Sequence, residues 1–352
     1  MGQIQLLDTT LRDGGLGLED AAKEQNSKVR FDTKTIHSIT CHLEISQIEI
    51  IELGSLEVTS DDRRCYGIYQ TIQQISEIMP KGNGKRQLYT ALYRGPDIPI
   101  EDIPDWNDKY CEGIRVIIRY SELKKSLDFC KAIAKKGYKV FVQPMLTMRY
   151  TEEEIQILID ASNEMGAYAL YFVDSYGYMT SEDVIRFFEK YDSVLDPSIK
   201  IGFHAHNNMN LAFSNVLSFL EQKSNRDIII DSCVLGMGQG AGNLQTEIIV
   251  NYLNSHYEKN YDFDSILDVC DIVEQYLNPN LWGYSVTTLL PAQHRTAYKF
   301  SNALRNKYKL KYKEVNYVLA KMPDSMRQRY TEKETERLLD LLGYNREELL
   351  ER

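Results

Sequence analysis

What most constrains this chain is an alternation of short apolar runs and amphipathic stretches that persists from the first residues to about position 255. Eight runs have the length and residue types of strands: Ile4 to Leu7, Ile48 to Leu53, Gln87 to Leu92, Gly113 to Ile118, Lys139 to Gln143, Ala169 to Val173, Lys200 to His204 and Asp227 to Cys233. Between them, Leu123 to Lys135, Glu152 to Met165, Glu182 to Tyr191 and Leu211 to Gln222 repeat apolar residues at three- and four-residue spacing, as helices with one buried face do. Eight strand-helix units over roughly 250 residues predict a (β/α)8 barrel, an α/β fold whose chemistry collects at the C-terminal ends of the strands. An open doubly wound sheet is the competing arrangement.

Past residue 258 the alternation stops and helical patterns take over, at Phe263 to Leu277, Thr287 to Tyr308 and Glu332 to Leu342. Asn278-Pro279-Asn280 and Pro291 punctuate them. The expected division is therefore a barrel catalytic domain over 1–257 and a C-terminal helical region over 258–352. The basic stretch from Arg305 to Lys313 reads as a solvated helix end.

Charge and cysteine content exclude several functions. The net charge is −10, and Lys and Arg are interspersed with Asp and Glu, so no basic face is offered to nucleic acid. The six cysteines form no CxxC pair and no dense framework, which predicts reduced thiols and a cytoplasmic location. No basic start leads into a long apolar run, so neither a signal peptide nor a membrane span is expected.

Three polar segments fall at or just past strand ends. Phe203-His204-Ala205-His206 places two imidazoles at i and i+2, on one face of a strand, where they can converge on one ion. Asp13, at the end of the first strand, supplies the carboxylate that completes a three-ligand catalytic metal site with positions left open for substrate. Arg12 beside it can pair with a substrate carboxylate or neutralise a developing oxyanion. The third segment, Gly236 to Gly242, ends at Asn243; it either cradles a phosphate or presents Asn243 as a neutral oxygen ligand. Glu52 closes a very apolar strand, where a carboxylate must be paired, and orients Arg12 or lines the site.

Together, Asp8-Thr9-Thr10-Leu11-Arg12-Asp13-Gly14, Phe203-His204-Ala205-His206-Asn207-Asn208 and Gly240-Ala241-Gly242-Asn243 resemble the metal-dependent pyruvate aldolases and lyases, the HMGL-like or DRE-TIM metallolyases, and above all their 4-hydroxy-2-oxovalerate aldolase branch. The eponymous Asp-Arg-Glu triplet is absent; Arg12-Asp13-Gly14 looks like the aldolase version. The resemblance implies a divalent ion, manganese or magnesium first and zinc or cobalt next, on Asp13, His204, His206 and Asn243. It implies that Arg12 stabilises the enolate of a 2-oxo acid. Val173-Asp174-Ser175-Tyr176-Gly177 resembles the branch's turn that binds substrate carboxylate, which makes Asp174 and Ser175 substrate-binding candidates; a helix-capping turn is the structural alternative. Asn280-Leu281-Trp282-Gly283-Tyr284-Ser285 resembles its C-terminal region, with Tyr284 as a catalytic candidate.

One departure bears on mechanism. That branch carries a histidine base two or three residues past the metal-binding aspartate, whereas Gly14, Gly15, Leu16 and Gly17 follow Asp13 here. Either another group replaces it, with Glu19, Glu52, Tyr284 and His294 as the candidates, or the substrate differs from 4-hydroxy-2-oxovalerate; His37 and His42 read as surface or packing residues on the first helix.

The expected function is a metal-dependent aldolase that makes or breaks a carbon-carbon bond next to a 2-oxo acid. An acyl-CoA condensing synthase or lyase of the same superfamily, and a non-catalytic metabolite-binding homologue, are the alternatives. The expected partners are a 2-oxo acid and an aldehyde, the latter in a pocket shaped by loops such as Arg94 to Asp105. The resemblance also implies an acylating aldehyde dehydrogenase, and a homo-oligomer is allowed for.

Overall fold

The computed structural model describes residues 2–25, 29–80, 87–276 and 282–350. Eight parallel strands, β1 (Ile4–Asp8), β2 (Ile50–Leu56), β3 (Leu88–Tyr93), β4 (Gly113–Ile118), β5 (Lys139–Pro144), β6 (Ala169–Asp174), β7 (Lys200–Ala205) and β8 (Ile228–Ser232), pair in chain order. β1 pairs with both β2 and β8, so the sheet closes and the (β/α)8 barrel is formed. A two-residue strand, Ile68–Tyr69, adds to the end of β2. The open-sheet alternative is thereby excluded.

The alternation of side chains along each strand decides what enters the barrel. One phase sends Leu7, Ile50, Phe141, Tyr171 and Ile229 into an apolar layer inside it. Two residues on, in that phase, come Glu52, Gln143, Val173 and Asp231, with Arg115 and His204 from β4 and β7 at the same level; all six are buried. The other phase, including Leu6, Ile51, Ile114, Val142, Phe172, Phe203 and Ile230, packs in the core beneath the helices. The barrel interior is thus apolar at its base and ionic toward the C-terminal ends of the strands.

Capping boxes start the helices Glu152–Met165, at Thr151, and Ser181–Val194, at Thr180, each leading the chain off a strand end. The helix Phe263–Glu274, expected in the appendage, packs on the helix Thr33–Ile45, and its Ile266, Val269 and Val273 belong to the barrel's core. A separate core assembles from Leu290, Phe300, Leu304, Leu319, Leu338 and their neighbours. The Asn278-Pro279-Asn280 break lies outside the described residues.

The helical pattern from Thr287 to Tyr308, expected to be punctuated by Pro291, forms separate helices. A helix runs Val286–Gln293 with Pro291 inside it, and a new one starts at Tyr298. Proline removes a backbone donor and crowds the preceding turn, so the helix ends within three residues of it. Arg295, in the break, adopts the left-handed conformation at φ 54°. This kink aims Arg295 and Tyr298 at two different cavities.

Candidate active site

After β1 the chain makes a five-residue π-helical turn, Thr10–Gly14, a rare geometry often found at functional sites. Asp8 fixes it: its carboxylate accepts from the Thr10 backbone N–H at 2.9 Å and from the Thr246 hydroxyl at 2.9 Å, tying this turn to the start of the helix Thr246–His256. Burial pushes the Asp8 carboxyl up to about 6. The turn presents Arg12 and Asp13 into the barrel mouth, both buried.

Asp13, His204 and His206 converge so that one ligand atom from each lies within 4.8 Å of the others. Each histidine is oriented through Nδ1, which leaves Nε2 for the centre of the cluster. His204 Nδ1 is 2.9 Å from Asp231 Oδ2, and His206 Nδ1 is 3.2 Å from the carbonyl of Gly242. Such outer partners fix the tautomer of metal-binding imidazoles. Burial, with His204 and Arg12 nearby, lowers the His206 pKa to about 4 against the pull of Asp13, so the ring is neutral at pH 7 as a ligand must be. Burial opposes ionisation of Asp13, but Arg12 and the two imidazoles outweigh it and hold the carboxyl at about 2.

Asn243 reaches the same cluster from the glycine-rich loop. Its amide nitrogen donates to Asp13 Oδ2 and to the carbonyl of Met237 at 2.8 Å, while its buried Oδ1 has no hydrogen-bond partner. A buried orphan oxygen beside a carboxylate and two neutral imidazoles fits a hard or borderline divalent cation. The loop can approach because position 238 lacks a side chain; a Cβ there would come within 2.8 Å of Asp13 Oδ2. Several of the loop's backbone groups are spent internally or on the neighbouring chain, with Gly242 N–H on Gln239, Asn243 N–H on Gly236 and the Gly242 carbonyl accepting from Asn207. That geometry serves Asn243 rather than a phosphate.

Beneath the cluster lies an ionic network that sequence reasoning largely missed. Arg12 donates to Glu52 Oε2 at 2.6 Å and to Asp13 Oδ1 at 2.7 Å. Arg115, fully buried, pairs with Glu52 at 2.9 Å and with Asp231, and its guanidinium lies 5.0 Å from the ring centroid of Tyr171. Tyr171 in turn donates to Asp231 Oδ1 at 3.1 Å. Two guanidiniums and three carboxylates thus share one dry interior and position Arg12 and His204 from below. The available signal was a lone charge in an otherwise apolar strand, as in Ile114-Arg115-Val116 and Ile230-Asp231, at the inward phase.

The cluster opens into a cavity of about 460 Å³. Arg12, Asp13, His204 and His206 line its floor, Gln143, Ser175 and Asn208 its wall, and Tyr298, Lys299 and Arg329 of the C-terminal region its mouth. Ser175 Oγ accepts from the Leu146 N–H at 2.9 Å, so its own proton is free to donate. Of the loop expected to shape the aldehyde pocket, Arg94 lines the cavity, paired with Glu57 at 2.8 Å. Tyr298 donates to Asp20 Oδ2 at 2.5 Å, and Lys299 pairs with Asp20 Oδ1 at 2.7 Å. No local motif in the sequence announces this contact across 278 residues.

Other expected residues lie elsewhere. Asp174 is a turn staple: its oxygens accept from the N–H groups of Tyr178 at 2.9 Å and Met179 at 3.0 Å, and burial raises its pKa to about 7. It does not line the cavity, because the turn consumes both oxygens. Tyr284 is 60 % exposed and does not reach the cavity either, since Ser285 starts the next helix and turns the chain away. Among the candidate bases, Glu19 is held by Arg63 at 2.6 Å and Lys23 at 3.1 Å, Glu52 is locked between Arg12 and Arg115, and His294 pairs with Asn316 at 2.8 Å beside a different cavity. His37 is exposed and His42 faces Asp268 at 3.3 Å. No described helix is long and apolar enough to cross a membrane.

Comparison with known proteins identifies the family. The HMGL-like family model matches residues 112–273. The 4-hydroxy-2-oxovalerate aldolase of Burkholderia pseudomallei (strain K96243) is 31 % identical over 281 residues, which covers 78 % of this chain and 76 % of that protein. The chain belongs to the HMGL-like family. A second member, the 4-hydroxy-2-oxovalerate aldolase of Moorella thermoacetica, is 27 % identical over 316 residues, covering 85 % of this chain and 88 % of its own. Among solved structures, the HMG-CoA lyase of Brucella melitensis superposes with a TM-score of 0.60 at 16 % identity, over 78 % of this chain and 99 % of the lyase. The carboxyl transferase domain of Rhizobium etli pyruvate carboxylase reaches 0.69 at 17 % identity, over 97 % of this chain and 60 % of that one. These two support the family's barrel fold.

Proposed function

We propose that this HMGL-like chain is a divalent-metal-dependent aldolase that forms or cleaves the bond next to a 2-oxo acid through a pyruvate-type enolate. The observation that carries the reading is the convergence of Asp13, His204 and His206 with the unpartnered Asn243 Oδ1 beside a paired but cavity-lining Arg12. These four residues would hold the ion, manganese or magnesium first and zinc or cobalt next. When bound, such an ion supplies Lewis-acid polarisation of the 2-oxo carbonyl.

The chain's own groups do the rest. Arg12, kept charged by Glu52 and Asp13 against the cost of burial, faces the oxygen on which enolate charge develops. Ser175 donates its hydroxyl proton to the substrate carboxylate. Tyr298 and Asp20 replace the missing histidine: the phenol oxygen takes the proton from the hydroxyl that becomes the aldehyde while Asp20 receives the phenol proton, and the reverse transfer serves condensation. Six unpaired cysteines accord with a cytoplasmic enzyme, and the aldolase relatives are the ground for testing an acylating aldehyde dehydrogenase as partner and a homo-oligomer as its state.

The test is hydrogen exchange at the methyl group of pyruvate in deuterated water, followed by NMR with and without manganese. Metal-dependent exchange in the wild type, reduced roughly a thousandfold or more in His204→Ala, is expected, since a Lewis acid supplies several kcal/mol of charge stabilisation. An absence of exchange with every divalent ion tried removes the pyruvate reading and returns weight to a metabolite-binding role.

A further inference from the structure

Beside the active cavity, on the C-terminal side of β5 and β6, lies a second cavity of about 350 Å³ that the reaction does not use. Three arginines line it: Arg149 from the loop after β5, Arg295 from the kink between the two C-terminal helices, and Arg327 from the segment after Met326. Among the described residues the only carboxylate in its wall is Asp324, whose side chain is 85 % exposed and stands 3.8 Å from Arg149. In a chain of net charge −10, this pocket therefore holds an excess of two positive charges.

Among the described residues nothing neutralises that excess. Arg327 donates to the carbonyls of His294, Leu319 and Met322, which hold the guanidinium in place without cancelling its charge. Arg149 donates to the Arg295 carbonyl at 3.3 Å. Arg295 forms no ion pair among the described residues; its guanidinium lies 5.8 Å from the ring centroid of Tyr178. Burial is the main cause that holds the Arg327 pKa down despite Asp324, and the nearby Arg149 and Arg295 add to it. Arg149 and Arg327 are fixed on carbonyls, Arg295 lies against an aromatic ring, and the three share one exposed carboxylate, so an outside anion would relieve their repulsion.

We propose that Arg149, Arg295 and Arg327 form a binding site for a phosphate group carried by a small molecule. The excess of two charges matches a phosphate monoester, the volume suits a compact metabolite, and Tyr120 and Tyr178 give an aromatic wall for the group attached to it. The enclosure is too small for a macromolecule's surface, and the acidic remainder of the chain repels extended polyanions. Gln328 lines this cavity and the active one alike, so the bound phosphate sits next to the reaction. It belongs either to the far end of the aldehyde acceptor or to a separate effector.

Calorimetric titration of the whole chain with pyrophosphate at low and moderate salt reads the site directly and does not depend on aldolase activity. One binding event per chain is expected, abolished in Arg295→Glu and weakened at least about tenfold in Arg149→Gln, the scale of one lost charge-assisted hydrogen bond. Arg295 is exposed and bonds to no core group, so its variant folds; an unchanged thermal melt confirms this. The absence of pyrophosphate binding in the wild type, or equal binding in Arg295→Glu, overturns the site. A KM rising in Arg295→Glu for glyceraldehyde 3-phosphate but not for glyceraldehyde, with pyruvate exchange unchanged, supports the site as the acceptor's anchor. Lost pyrophosphate binding with both KM values unchanged supports it as an effector site.

Discussion

Two clusters of arginine lie within one end of this molecule, and they differ in what balances them. Inside the barrel, Arg12 and Arg115 meet Glu52, Asp13 and Asp231, every group buried and each cation touching two carboxylates. At the rim, Arg149, Arg295 and Arg327 face one exposed carboxylate. Opposite charges paired in a dry interior are held rigid, because each would be costly to leave alone, so the inner cluster serves to aim Arg12 and His204. Charges left unmatched at a wet rim cost little while solvent screens them and gain a partner only when one arrives.

The comparison is most easily broken from the inside. Arg115→Met leaves Glu52 and Asp231 facing one another in the core, and a loss of about 3–5 kcal/mol in urea unfolding is expected, the cost of stranding a buried charge. A loss below 1 kcal/mol means that the interior is wetter than the structure shows, and the contrast with the rim fails. Asp231→Asn keeps the shape but removes the carboxylate behind His204; manganese affinity, measured by titration, should fall by about 10–100-fold with the fold intact. Unchanged affinity detaches the network from the metal site. The smallest effect belongs to the rim: Asp324→Ala should shift stability by no more than about 0.5 kcal/mol while tightening pyrophosphate binding, since it removes the one opposing charge. A larger destabilisation marks the rim arginines as structural and erases the distinction.

Much of the inner cluster could be read from sequence because strands impose a period of two. His204 and His206 share a face for that reason, whereas Glu52, expected at the end of a strand from Ile48 to Leu53, is the third residue of β2, because the strand runs on to Leu56, and Asp13 lies in the turn after β1. Arg115 and Asp231 obey the same period, but they are partners across the barrel, 116 positions apart, and pairing at that range has no local pattern. Asp174 shows the limit of motif likeness: a turn that resembles a substrate-binding one spends both carboxylate oxygens on its own backbone. Tyr284 and Tyr298 show it again. The tyrosine in the matching motif points to solvent, while the one at the cavity mouth starts the helix after the Pro291 break, and the break alone does not tell which side chain it turns toward the cavity. The rim arginines come from three separate segments, and only folding makes them neighbours.

Gly202 carries a last consequence, for how this strand can change over generations. A Cβ at that position would fall within the ring of Tyr171, the phenol that helps hold Asp231 behind His204. Even alanine there would displace the ring, and with it the aim of an imidazole two residues away. The residue contributes no atom to chemistry and no hydrophobic area, yet a neutral path through sequence space is closed at it as firmly as at the histidines themselves.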